Sequence, residues 1–337
     1  MNNLKKIGLS ALAGSLVAVS ANAGELAVSG NAEFTYTNND GSTGSGNNVT
    51  GNPWGANNNI AFTGSGDVGM GELTVVRVIN DGGTAQSTSY ATLNMGDMGT
   101  VSFDSVGGAL VGSAANDDIL PTAYEEIWTG TSSSYVSGAK SNNTLGYANT
   151  IGPVSFSAGY QKDGAAASQG ESSASGGGVT GSTSSYYASV DMGQFGIDGL
   201  TIGAGASEST QNSSATTDAD TKYVNGNINY NIGNVSLGYR QSDKNDGTAA
   251  TASSSTSAYA IAFNVNENFA VSYGEQTTEQ DNISATTNSD DEEVTGINAS
   301  YTMGAASVRI LNSVSDNDGF TAAEEKEHTE ISLVLSF

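Results

Sequence analysis

Beyond residue 24 the chain alternates apolar and polar side chains with a period of two. In 25–37 the even positions are Leu26, Val28, Gly30, Ala32, Phe34 and Tyr36, while the odd positions run from Glu25 through Ser29, Asn31 and Thr35 to Thr37. A period of two is that of a strand whose faces meet different surroundings. The alternation returns at Val154, Phe156, Ala158 and Tyr160, at Leu200, Ile202, Ala204 and Ala206, at Tyr259, Ile261, Phe263 and Val265, and at Ile331, Leu333, Leu335 and Phe337. It predicts sixteen strands, at about 25–37, 57–65, 71–80, 86–95, 99–105, 141–149, 152–162, 182–192, 199–208, 221–231, 233–242, 256–266, 268–276, 293–303, 305–314 and 327–337.

The connections sort by length. Short turns at 66–70, 96–99, 149–152, 193–198, 231–234, 266–268 and 303–305 alternate with long polar segments at 38–56, 106–140, 163–181, 209–220, 243–255, 277–292 and 315–326, and only 81–85 breaks the rule by being short. One rim therefore carries tight turns and the other long loops, as outer-membrane barrels carry periplasmic turns and extracellular loops. The polar face is Ser, Thr, Asn and Gly rather than Lys and Glu, which suits a water-filled interior. In lipid no backbone group may stay unpaired, so the sheet must close. Sixteen strands make a barrel too wide for side chains to fill. The expected fold is thus all-β, a 16-stranded antiparallel transmembrane β-barrel with short periplasmic turns and long extracellular loops. Nine of the fourteen Tyr fall on outward parity, many near strand ends where interfacial aromatic girdles belong.

Composition narrows the chemistry. Asp and Glu number 35 against 10 Lys and Arg, a net charge of -25, so nothing favours nucleic acid as a partner. There is no Cys and one His, which removes disulfide frameworks, thiolate chemistry and multi-His metal centres; no cofactor, no metal and no enzyme activity is expected. Lys5 and Lys6, the apolar stretch 7–19 and the small residues Ala21 and Ala23 read as a signal peptide over 1–23, leaving 24–337 as one barrel domain.

Strand 71–80 fits least well, because Leu73, Val75 and Ile79 share a face with Arg77 while Val76 and Val78 share the other. An Arg at the lipid midplane costs about 2–4 kcal/mol. Arg77 is therefore expected inside, as a pore-wall cation with Arg240 and Arg309, which also fall on inward parity.

GDMGTVSF at 96–103, NNTLGY at 142–147 followed by GPVSF at 152–156, IAFTGSGDVGMG at 60–71 and the terminal EISLVLSF at 330–337 together resemble the Gram-negative trimeric general porins, the neisserial and proteobacterial type. The resemblance implies a homotrimer that lets small hydrophilic solutes cross the outer membrane, in contact with outer-membrane lipid and lipopolysaccharide, and inserted by the barrel assembly machinery through a signal ending at Phe337. It implies that the third loop, 106–140, folds into the barrel and narrows the pore, presenting Asp117, Asp118, Glu125 and Glu126. Lys140 sits near the family's basic position before the sixth strand. Asp104 stands where the family usually has Arg, which weakens the transverse field.

Other motifs favour plainer readings. The GxGxxG match at 64–69 is followed by no helix and reads as a turn. Acidic runs at 290–293 and 316–319 lack the spacing of a calcium loop. His328 at a strand edge reads as a rim residue rather than part of a triad. The leading expectation is a passive porin with modest cation preference. A substrate-specific channel with an aromatic track of Tyr90, Tyr187 and Tyr223, or a secreted β-rich adhesive protein, are the alternatives.

Overall fold

A computed structural model describes residues 24–41, 51–80, 86–106, 119–133, 143–162, 181–210, 220–246, 253–281 and 290–337. Sixteen strands appear in it: β1 (Glu25–Gly41), β2 (Trp54–Asp67), β3 (Glu72–Asn80), β4 (Gln86–Asn94), β5 (Thr100–Val106), β6 (Thr144–Ile151), β7 (Val154–Lys162), β8 (Ser182–Asp191), β9 (Leu200–Thr210), β10 (Thr221–Ile232), β11 (Val235–Asp246), β12 (Ser253–Asn266), β13 (Phe269–Asp281), β14 (Glu292–Met303), β15 (Ala306–Asp316) and β16 (Glu325–Ser336). Each pairs antiparallel with the next, and β1 pairs with β16 to close the barrel. Closure gives every strand two ladder partners, the condition for crossing lipid.

The two faces differ as the alternation predicts. Outward positions carry large exposed apolar side chains, among them Ile202, Ile228, Leu237, Ile261, Ile297, Ile310 and Leu333. Inward positions on the same strands are Gly203, Asn227, Gly238, Ala260, Asn298, Arg309 and Ser332. The outward ring is the lipid face, which a soluble β-protein would have to hide. Tyr36 and Trp54 meet edge-to-face, centroids 5.1 Å apart, at the rim of the long loops.

The strands exceed the sequence estimate at that rim. β1 continues to Gly41 and β2 begins at Trp54, because Thr37 donates its N–H to the Pro53 carbonyl and the ladder runs on past the apolar belt. Alternation marks only the stretch between lipid and lumen; above it both faces meet water and the pattern fades. The seam closes through Phe337, whose N–H and carbonyl exchange 2.9 and 2.8 Å bonds with Gly30. A Cβ at Gly30 would lie 2.7 Å from the Phe337 ring, so glycine lets that ring cross the seam.

Candidate functional site

The barrel interior is not empty. Residues 119–133, part of the connection between β5 and β6, run along the inner wall from β11 to β16. Their seat is made of small inward residues. Leu120 clusters with Ala258 and Ala260 of β12, and all three are buried. Pro121 and Leu120 approach Gly238 of β11, where a Cβ would lie 2.4 Å from the proline ring. Ile127, 4% exposed, fills the space above Gly274 and Gly296, where a Cβ would meet it at 2.9 and 2.8 Å. These few apolar contacts hold the loop by burial in an otherwise polar lumen.

Hydrogen bonds fix its register on the wall. The Ala123 N–H donates to Ser272 Oγ at 2.9 Å and the Glu125 N–H to Asn298 Oδ1 at 3.2 Å. Gln276 Nε2 donates to Ser133 Oγ at 2.9 Å. Wall side chains thus satisfy loop backbone that β-pairing leaves open. Tyr124 reaches the β1–β16 seam, where its hydroxyl donates to Glu330 at 2.6 Å and lies 3.4 Å from Glu33. Ser332 donates to the same Glu33 oxygen at 2.5 Å. Arg309 lies 5.3 Å from the centre of the Tyr124 ring, within cation–π range. Further along, Gly130 passes directly over His328, and a Cβ there would lie 2.0 Å from the imidazole.

The loop's acid–base character follows from this seat. Burial first, and then the hydrogen bond to Glu330, pushes the Tyr124 hydroxyl far above its ordinary value, so it remains a neutral donor. Burial also pushes the Glu125 carboxyl above the usual carboxylate range, with Glu330 and Glu33 adding repulsion and Thr129 and Arg309 opposing it.

The expected site residues scatter. Glu125 and Glu126 are half-buried in the loop. Asp104 points inward from β5 and is fully buried, as is Arg240 on β11. Arg309 points inward but lies beneath Tyr124. Phe337 supplies the seam bonds described above. Asp117, Asp118 and Lys140 lie outside the described residues, as does the segment 1–23.

Arg77 requires a correction. It is not in the lumen but on the outer face, exposed beside Val75 and Ile79 and in register with Phe62 of β2, while Val76 is the buried residue facing inward. Three large apolar side chains share the parity of Arg77, and turning the strand over would put all three into water. The majority sets the face and the single cation follows. Among the described residues, β1–β10 therefore direct no Lys or Arg side chain into the lumen; the inward cations are Arg240, Lys244, Arg309 and Lys326, all on β11, β15 and β16.

Residues 8–240 match the Gram-negative porin family. The chain belongs to that family. Membership places this porin in the outer membrane, where a water-lined barrel is a passive channel rather than an enzyme. No curated protein matches. Among solved structures it is similar to Salmonella typhi OmpF in complex with daunomycin, with a TM-score of 0.67 at 13% identity over 93% of this chain and 98% of that one. The loop L8 deletion mutant of OmpT, an outer membrane protein of Vibrio cholerae, gives 0.65 at 14% over 94% and 100%. The outer membrane channel DcaP of Acinetobacter baumannii gives 0.64 at 12% over 94% and 98%. At these identities the likeness is one of fold.

Sequence parity does not reveal Tyr124, Ile127, Leu120, Glu33 and Glu330 as loop-seating residues. A signal was present: in a connection rich in Gly, Ser and Ala, the stretch Ile119, Leu120, Pro121, Tyr124, Ile127 and Trp128 is too apolar for a solvated loop.

Proposed function

We propose that this porin is a general diffusion pore with a modest preference for cations, narrowed by the loop 106–140 and working as a homotrimer. The observation that carries the cation preference is the one-sidedness of the lumen's basic residues. Glu125 and Glu126 ride on the loop and Glu33 lies at the seam beside Tyr124, while β2–β10 direct no described cation into the lumen. Of the four inward cations, Arg240 is buried and Arg309 is capped by Tyr124, and Lys244 and Lys326 stand toward the long-loop rim, away from the middle of the lumen. A carboxylate-lined path raises the local cation concentration and lowers that of anions, most strongly at low salt. The test is the reversal potential of single channels in a planar bilayer under a KCl gradient. A cation-selective sign that weakens in the double variant Glu125→Gln, Glu126→Gln supports the reading. An anion-selective sign, or a sign unmoved by the double variant, defeats the role of the loop carboxylates.

The oligomer is supported by Arg77. It stands five residues above Glu72, about 12 Å up a tilted strand and so near mid-height of an apolar belt about 25 Å tall. Its register partners are Phe62 of β2 and Ser89 of β4, with Gly64 on the diagonal, so the surface beside it has small positions where a second barrel can approach closely. A neighbouring copy would shield the guanidinium from lipid. Arg77→Leu should lower the temperature at which trimers dissociate in semi-native electrophoresis. A higher dissociation temperature would mean that Arg77 faces lipid and that another sector forms the contact.

A further inference from the structure

The inner loop is held from two directions, and only one of them is the barrel wall. Beyond Gly130 the loop reaches Ser132, whose N–H donates to Asp318 Oδ1 at 2.8 Å and whose hydroxyl donates to Asp318 Oδ2 at 2.5 Å. Both carboxylate oxygens are used, each by a separate donor of one residue, which fixes direction as well as distance. Asp318 does not belong to the wall. It lies in the connection 317–324 between β15 and β16, on the rim that carries the long loops.

That connection is built to hold one pose. Asp318 donates its N–H to the Glu324 carbonyl at 2.9 Å, and Glu324 donates to Thr321 at 3.1 Å. The Asn317 side chain donates to the Asp291 carbonyl and accepts from the Ala323 N–H, both at 3.0 Å. Gly319 donates to Glu292 at 2.9 Å, tying the connection to β14. Three residues that carry a Cβ, Asn317, Phe320 and Ala323, take positive φ of 56°, 62° and 61°. Such residues avoid that region unless surrounding contacts force it. The strain and the crossed hydrogen bonds surround the carboxylate that grips Ser132. Thr321, Ala322 and Ala323 are meanwhile exposed.

We propose that Asp318 is a positioning residue for the pore loop: the connection 317–324 latches the loop at Ser132 from the cell-surface side, so that a load on the exposed 321–323 segment is transmitted to the pore loop. The inference rests on the diffusion-pore reading and adds to it a mechanical link between the exterior and the constriction. Tyr124, Ile127 and Ser133 anchor the loop to the wall, and Asp318 sets where it lies between that seat and the rim.

The absence of Cys from the chain makes the test clean. Single channels of the full barrel would be recorded for the parent, Asp318→Ala, Asp318→Asn and the double variant Ser132→Cys, Asp318→Cys, with heat-modifiable migration confirming each barrel. Losing a charge-assisted pair raises the unlatched population about tenfold. Asp318→Ala should therefore give a noisier open-channel current with a shifted mean, and Asp318→Asn, keeping one acceptor oxygen, should fall between it and the parent. The oxidised double variant should be quiet, and dithiothreitol should restore the noise. In a third arm, a bulky maleimide on Ala322→Cys should alter the current, and the change should vanish when Asp318→Ala is added. A folded Asp318→Ala barrel as quiet as the parent, a double variant that does not cross-link, or a label effect that persists without Asp318 would each overturn the latch. If the parent itself forms no channels, the diffusion-pore reading fails instead.

Discussion

Where the loop lies on β11–β14, the inward positions beneath its apolar side chains are Gly238, Ala258, Ala260, Gly274 and Gly296, small residues that leave room for Leu120, Pro121 and Ile127. On β2 the inward positions include Asn57, Asn59, Thr63 and Ser65, and on β8 Thr183, Ser185 and Tyr187, mostly polar residues that border the lumen. The charges divide the same way. The described inward cations, Arg240, Lys244, Arg309 and Lys326, all lie on the loop-bearing side, Arg240 buried and Arg309 capped by Tyr124, and β2–β10 direct none into the lumen. The difference teaches that one alternating pattern can code two surfaces. Parity sets which side chains face in; their size decides whether the wall receives a loop or bounds a channel.

The comparison breaks most severely at the seat. Gly296→Val would put branched carbon where even a Cβ lies 2.8 Å from Ile127, and overpacking of that kind costs about 1–3 kcal/mol. The loop should lift from β14, with a changed mean conductance in a barrel that still migrates as folded; an unchanged conductance would mean that Ile127 contributes nothing to the constriction. A smaller effect is expected from giving β2 an inward cation. Thr63→Arg adds one on the wall outside the loop's seat, and the reversal potential should move toward anions, more at 0.01 M than at about 1 M salt, where the screening length falls to about 3 Å. The mildest change is pH. Because the Glu125 carboxyl is raised, it takes up its proton at higher pH than an ordinary carboxylate as the solution is acidified. Its part of the cation preference should therefore fade before free carboxylates titrate, and Glu125→Gln should remove that early step from a selectivity–pH curve. The same sign means that ionising Glu125, as pH rises, opposes its seating beside Glu330 and Glu33.

Parity placed all sixteen strands, because a strand between lipid and water cannot hide which side is which. It misplaced Arg77 because a single residue was weighed against an average cost of charge in lipid, whereas Leu73, Val75 and Ile79 together outweigh it. It missed the seat because Gly274 and Gly296 look like any inward glycine until the loop is set over them. Their partners stand more than a hundred positions earlier in the chain, and a pattern with a period of two cannot register a contact across a lumen. Glu33 and Glu330 show the same limit. Each is a polar inward residue on its own strand, and only ring closure brings both to one tyrosine hydroxyl.

The seam between β1 and β16 bears on how the barrel comes to exist. Neighbouring strands such as β10 and β11 meet across a turn of two residues, and such hairpins close in microseconds. The seam joins Asn31 to Ser336, about 300 positions apart, and its loop-closure entropy must be met before any of its hydrogen bonds return energy. Until that ladder zips, two strands expose unpaired edges, each a template for another chain. Since Tyr124 needs Glu33 from one side of the seam and Glu330 from the other, its full anchor exists only once the ring is closed. An incompletely zipped barrel would be a leak without a filter, so the order of assembly determines when the cell envelope acquires a sieve.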